Sequence, residues 1–114
     1  MTEISVYKPA KKNDAKELSA TTFFTTCTTA GVSIPIGKDD KTVIILHNGG
    51  TSDVEVTIER GDGLQGVNNL KVALTKDKYY VLSIDTGAFK HLTGAEKGNV
   101  VVKGECNIAV VEAI

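Results

Sequence analysis

The sequence predicts an all-β fold: an antiparallel β-sandwich, immunoglobulin-like or jelly-roll-like, with about seven or eight strands and an extended N-terminal arm. Three features predict it. Beyond residue 31 the apolar residues fall into short runs, most of them alternating with polar residues at a period of two, as a strand does when one face meets oil and the other water. Gly, Asn and Asp separate the runs at intervals that suit turns. Helical spacing of apolar residues has little place there. The sandwich is assigned to residues 21–114 and the arm to residues 1–20.

Val32, Ile34 and Ile36 alternate with Ser33 and Pro35, and a proline has no N–H for a ladder, so this strand belongs at an edge or a bulge. Val43-Ile44-Ile45-Leu46 is a continuous apolar run, expected of a central strand covered on both faces. Asn48-Gly49-Gly50 tolerates positive φ, and Val54, Val56 and Ile58 follow between Glu55, Thr57 and Glu59. That pattern reads as the half-buried partner of a hairpin. Gly61-Asp62-Gly63 and Gly66 mark a loop, after which Leu70, Val72 and Leu74 run to Lys76-Asp77 and on into Tyr80, Leu82 and Ile84. This reads as a second hairpin. Val100-Val101-Val102 and Ile108 to Val111, with Gly104 between them, supply the last two strands.

The arm differs in kind. Ile4 and Val6 suit a short strand, but residues 8–17 are dominated by charge and contain Pro9. A helix over residues 14–20, with Leu18 as its one large apolar residue, would be marginal alone, so something else must hold this segment.

With 114 residues the chain has room for one domain and a core that needs no staples. Thirteen basic against fourteen acidic residues leave no basic excess with which to release counterions from a duplex, so nucleic acid is not expected as a partner. The N-terminal stretch lacks the apolar block of a secretory signal and no later run approaches a membrane span, so synthesis in the cytoplasm and no membrane partner are expected. Cys27 and Cys106 match no metal or redox spacing. They read as buried free thiols that could pair only if their strands are neighbours.

No catalytic constellation emerges, and neither a metal nor a cofactor is expected. His47 and His91 have no Ser, Cys or carboxylate at the spacing of a triad. A blue-copper site using His47 and Cys106 would need another histidine after the cysteine, and only residues 107–114 remain, without one. Asp39-Asp40, Asp53 and Asp62 show no regular calcium-loop spacing. Arg60-Gly61-Asp62 spells an adhesion tripeptide, but three residues in a glycine-rich loop are explained as well by turn chemistry. Six aromatic residues, Tyr7, Phe23, Phe24, Tyr79, Tyr80 and Phe89, leave few rings to spare for a sugar platform once the core is filled. Six threonines between residues 20 and 29 follow from the β preference of that side chain.

Several segments carry a resemblance: Lys41-Thr42-Val43-Ile44-Ile45, the Asn48-Gly49-Gly50-Thr51 turn, the run from Gly61 to Leu70, then Asp85, Phe89-Lys90, Lys97-Gly98 and the closing Ile108-Ala109-Val110-Val111-Glu112. Across about two-thirds of its length the chain resembles small bacteriophage virion proteins of the head decoration, or capsid cement, type. The resemblance implies a non-enzymatic protein of the virion that binds the major capsid protein, bridges neighbouring coat subunits and associates with copies of itself as a trimer or other symmetric cluster. The arm would then reach across subunits. Ile4, Val6 and Tyr7 would be its apolar anchors, and Lys8, Lys11, Lys12 and Lys16 would meet an acidic shell. A glycan- or host-surface-recognition sandwich and a tail or baseplate component are the alternatives.

Overall fold

Alternating side chains need a second layer against which to bury their apolar face, and the chain supplies it by folding onto itself. The computed structural model describes residues 2–10, 15–18, 23–37, 41–61, 68–83, 89–92, 94–95 and 97–113. They form nine strands, β1 (Thr2–Glu3), β2 (Thr25–Cys27), β3 (Val32–Pro35), β4 (Thr42–His47), β5 (Val54–Ile58), β6 (Leu70–Leu74), β7 (Tyr79–Leu82), β8 (Asn99–Lys103) and β9 (Cys106–Glu112). One sheet has the order β1-β3-β8-β5-β6 and the other β2-β9-β4-β7. Among the described residues helical backbone is confined to Lys41 and Phe89, and Ala15 to Leu18 lie in irregular backbone. The rest of the segment considered for a helix, and Ile84, lie outside the described residues.

The pairing reveals the plan. β2 pairs with β9, β3 with β8, β4 with β7 and β5 with β6, all antiparallel. The chain is thus one long antiparallel hairpin, with β5 and β6 at its tip and β2 and β9 at its mouth, wound up so that β4 also meets β9 and β5 also meets β8. That winding is the jelly roll, and it decides between the two sandwich types expected from the sequence. It also corrects two connections. β4 and β5 lie in different sheets, as do β6 and β7, so neither Asn48-Gly49-Gly50 nor Lys76-Asp77 closes a hairpin. Both are corners where the chain crosses between sheets, and the hairpin joins β5 to β6 through the glycine-rich loop.

In a wound hairpin the corners come in adjacent pairs, and polar groups stitch each pair together. Asn48, only 2% exposed, is the main stitch between the β4–β5 and β6–β7 corners. Its side-chain Nδ2 donates to Ser52 O at 2.9 Å within its own corner and to Leu74 O at 3.0 Å in the other, while Oδ1 accepts from Gly50 N at 3.0 Å. Its backbone N–H donates to Lys78 O at 3.1 Å and its carbonyl accepts from Asp77 N at 2.7 Å. Asp53 adds a further link by accepting from Lys76 N at 3.1 Å. At the β2–β3 and β8–β9 corners the carbonyl of Thr28 accepts from both Gly31 N and Gly104 N at 3.0 Å. Gly104 has φ 137°, and a Cβ there would stand 3.0 Å from Glu55 O, so this corner has room only for glycine.

Between the sheets lie Ile34, Leu46, Val56, Ile58, Leu74, Val100, Val102 and Ile108, all fully buried. Each such aliphatic side chain contributes about 2 kcal/mol from apolar area removed from water. β4 is central, as its apolar run suggested, but only Ile44 and Leu46 are fully covered. Val43 and Ile45 on its other side are half-buried, because among the described residues that face has a partial lid of side chains and no second sheet.

The arm lies against the sandwich at its start. β1 runs parallel to β3, and Ile4 N donates to Ser33 O at 3.0 Å while its side chain enters the core. The chain then crosses to the other sheet, where Tyr7 N donates to Val110 O and Tyr7 O accepts from Glu112 N, both at 2.9 Å. Residues 4–7 therefore strap the rims of the two sheets together. On the β1 side of β3 sits Pro35: Ile36 N donates to Gly98 O toward β8, so by alternation the proline nitrogen faces away from that partner, where no donor is needed.

Asn48→Ala leaves the carbonyls of Ser52 and Leu74 without their donor and is expected to lower the unfolding free energy by about 2–4 kcal/mol. Urea titration of the variant beside the parent measures this. Gly104→Ala, strained by both φ and contact, is expected to lose a similar amount in the same titration, about 2–4 kcal/mol.

Candidate binding surface

Each sheet of the sandwich has an outer face, and the two differ sharply in charge. Outward positions on the β5, β6 and β8 side carry Glu55, Thr57, Glu59, Lys71 and Lys103. Lys71 lies 3.9 Å from Glu55 and Lys103 lies 3.1 Å from Glu59. This is a solvated face of paired charges, whose ion pairs contribute little to stability. On the opposite sheet the outward residues are Thr26 from β2, Asn107, Ala109 and Val111 from β9, Val43, Ile45 and His47 from β4, and Tyr79 and Val81 from β7. None of these is an Asp, Glu, Lys or Arg.

A ribbon of rings crosses this face. His47 and Tyr79, cross-strand partners on β4 and β7, stack with centroids 3.9 Å apart and planes 8° from parallel. Phe24 meets both edge-on, at 6.4 Å from His47 and 6.2 Å from Tyr79. Continuing the register that pairs Thr25 with Ile108 sets Phe24 beside Ala109, a buried residue whose small side chain leaves space for a ring. Phe23 follows at 5.8 Å, then Tyr7 at a further 5.8 Å, with the Lys16 ammonium 6.0 Å from the Tyr7 centroid. Edge-to-face contacts of this kind add about 0.5–1.5 kcal/mol each beyond burial. The expectation that most rings fill the core is therefore corrected. Tyr80 and Phe89 pack against the core, while Tyr7, Phe23, Phe24 and Tyr79 form the outer ribbon.

The ribbon ends at an open edge. The bond from Asn48 N to Lys78 O sets the parity of the β4–β7 ladder, so Tyr80 and Leu82 share their backbone bonds with β4. Tyr79 and Val81 then point their N–H and C=O groups outward, where no strand among the described residues pairs with β7. Their side chains are 60% and 75% exposed. Proteins usually guard such an edge with charge, proline or a bulge. Tyr79 to Leu82 contains none of these guards in its sequence, whereas β6, at the edge of the other sheet, carries Lys71.

Of the residues expected to meet a partner, Ile4 is in the core and Val6 packs half-buried against it. Tyr7 is half-buried and bridges to Val111. Lys8 and Lys16 are exposed, while Lys11 and Lys12 lie outside the described residues. The structure thus brings Tyr7 and Lys16 to the ribbon. Sequence reasoning missed Tyr79, Val81, His47 and Phe24 as a group, although one signal was present. Outward positions of β4, β7 and β9 hold no charge, while β5 alternates with Glu55 and Glu59.

No group of three or more His, Cys, Asp or Glu is gathered for a metal among the described residues. His47 lies outward and Cys106 is in the core cluster, so they face opposite sides of their sheet. Asp39, Asp40 and Asp62 fall outside the described residues, and with Asp62 the last position of the Arg60-Gly61-Asp62 tripeptide.

Phe24→Ala is expected to lower the unfolding free energy by about 2–3 kcal/mol, since it uncovers Ala109 and breaks the ribbon. Val81→Lys, at an exposed position, is expected to change it by less than about 0.5 kcal/mol, and urea titration of both variants checks the contrast. Comparison with protein-family models, with curated proteins and with solved structures gave no match to this chain.

Proposed function

We propose that this chain is a structural protein of a bacteriophage virion, made in the host cytoplasm, that decorates and stabilises the capsid. It works by contact, without catalysis or a cofactor, and its partners are the major capsid protein and copies of itself in a symmetric cluster. The observation that carries this reading is the uncharged face of the β2-β9-β4-β7 sheet, open at β7, set against a charged face on the other sheet. Apolar area that is exposed, contiguous and rich in aromatics suits burial against another protein. Stitched corners and a strapped arm suit a part that must resist strain in a shell. The jelly roll serves viral shell proteins and lectins alike, so it supports the reading only as an analogy of fold.

The test uses particles of the phage that encodes the chain, prepared without it. Purified protein is expected to co-sediment with them and to appear as added surface density by electron microscopy, with Val81→Lys weakening binding at least tenfold while leaving stability unchanged. Particles that take up no protein would remove the proposal.

A second reading is favoured by one feature. The exposed Tyr79 ring, stacked flat on His47, is the kind of platform on which a sugar ring packs. On a glycan array that reading expects specific binding lost with Tyr79→Ala, and a blank array removes it.

A further inference from the structure

Cys27 and Cys106 are direct partners across the β2–β9 ladder. The bonds that Tyr7 makes to Val110 and Glu112 show which side of β9 its even-numbered backbone groups face, and it is the side of β2. The two cysteines therefore form a hydrogen-bonded pair, with Cα atoms about 5.5 Å apart, inside the span of a disulfide. Directly opposed residues project to the same face, and both side chains belong to the core, at 1% and 8% exposure. The neighbouring Cys106 thiol holds the Cys27 thiol below its ordinary pKa, and Cys27 in turn, with burial, pushes that of Cys106 up. The Cys27 thiol donates to Val102 O at 3.5 Å. Both cysteines line a surface cleft of about 520 Å3 between the two stitched corner pairs, together with Asn48, Gly50 and Glu105.

Two buried cysteines are ordinarily inert small apolar residues. Register, shared face and the adjoining cleft set this pair apart. We propose that Cys27 and Cys106 are a reactive dithiol, a modification site that a hydroperoxide converts to an intramolecular disulfide fastening β2 to β9. The Cys27 thiolate attacks one oxygen of hydrogen peroxide, the O–O bond breaks, hydroxide leaves, and Cys27 becomes a sulfenic acid. The Cys106 sulfur then attacks the Cys27 sulfur, its proton leaves with the departing hydroxyl as water, and the S–S bond closes. In sum two thiols and one peroxide give one disulfide and two waters, with two electrons passing from sulfur to oxygen. Because β2 is short, with three paired residues, the bond would reinforce its pairing with β9 at the mouth of the roll.

The protein as it stands serves for the test. After exposure to hydrogen peroxide, the intact mass is expected to fall by two hydrogens, both thiols to vanish from titration in denaturant, and peptide mapping to join Cys27 to Cys106 within one chain. The Tm is expected to rise by about 10 °C and to return on reduction with dithiothreitol. Cys106→Ala, treated alike, is expected to show no such rise. Retention of both titratable thiols in the treated parent, or a disulfide that joins two chains, overturns the proposal.

Discussion

The amide of Asn48 is the tie on which the roll depends. A hairpin wound across two sheets requires both of its strands to change layer at the same level, and nothing in the apolar core sets that level, because aliphatic contacts are not directional. Asn48 sets it with hydrogen bonds: one side-chain end reaches Ser52 and Leu74, the other holds Gly50, and the backbone meets Asp77 and Lys78. All these groups belong to the two adjoining corners. Thr28 does the same at the other corner pair with a single carbonyl. The core supplies most of the stabilisation, and these few polar contacts select which of several possible windings is adopted.

Strands were more legible in the sequence than their partners. Runs such as Val54, Val56 and Ile58 or Leu70, Val72 and Leu74 declare a buried face by alternation alone, and the structure places a strand at each. Asn48-Gly49-Gly50 looks like a hairpin turn because the same residues satisfy any tight reversal. Only the distant Leu74 and Lys78 show that this reversal passes between layers. The candidate surface was hidden for a related reason. Val43 and Ile45 imply cover on their side of β4, but sequence does not say whether a second sheet or a few rings supply it. Phe23 and Phe24, next to a threonine-rich stretch, gave no sign that they would lie across β9. Pro35 suggested an edge strand, but β3 lies between β1 and β8; the proline fits there because β1 pairs only with Val32 and Ser33 and leaves the proline's side of the strand open among the described residues. The burial of Ile4 depends on a contact with Ser33 far along the chain.

The arrangement divides labour between two faces and a strap. One sheet presents paired charges that keep it wet, and the other presents rings and branched aliphatics beside backbone at β7 that no strand among the described residues pairs. The strap at residues 4–7 joins both rims and brings Tyr7 to the ring end of the uncharged face, so the arm and the face form one continuous surface. A protein built this way has a front and a back.

Asn48 is followed by Gly49, and this dipeptide ages. With no side chain beside it, the glycine nitrogen attacks the asparagine carbonyl readily in loose chains, and ammonia is lost. In the folded roll both ends of the amide are tethered, which keeps it from the required geometry. A chain left unfolded has no such protection. The carboxylate it acquires cannot donate to Leu74 or Ser52, so the damage would be recorded as a corner that no longer closes, and delay in folding would become a permanent defect.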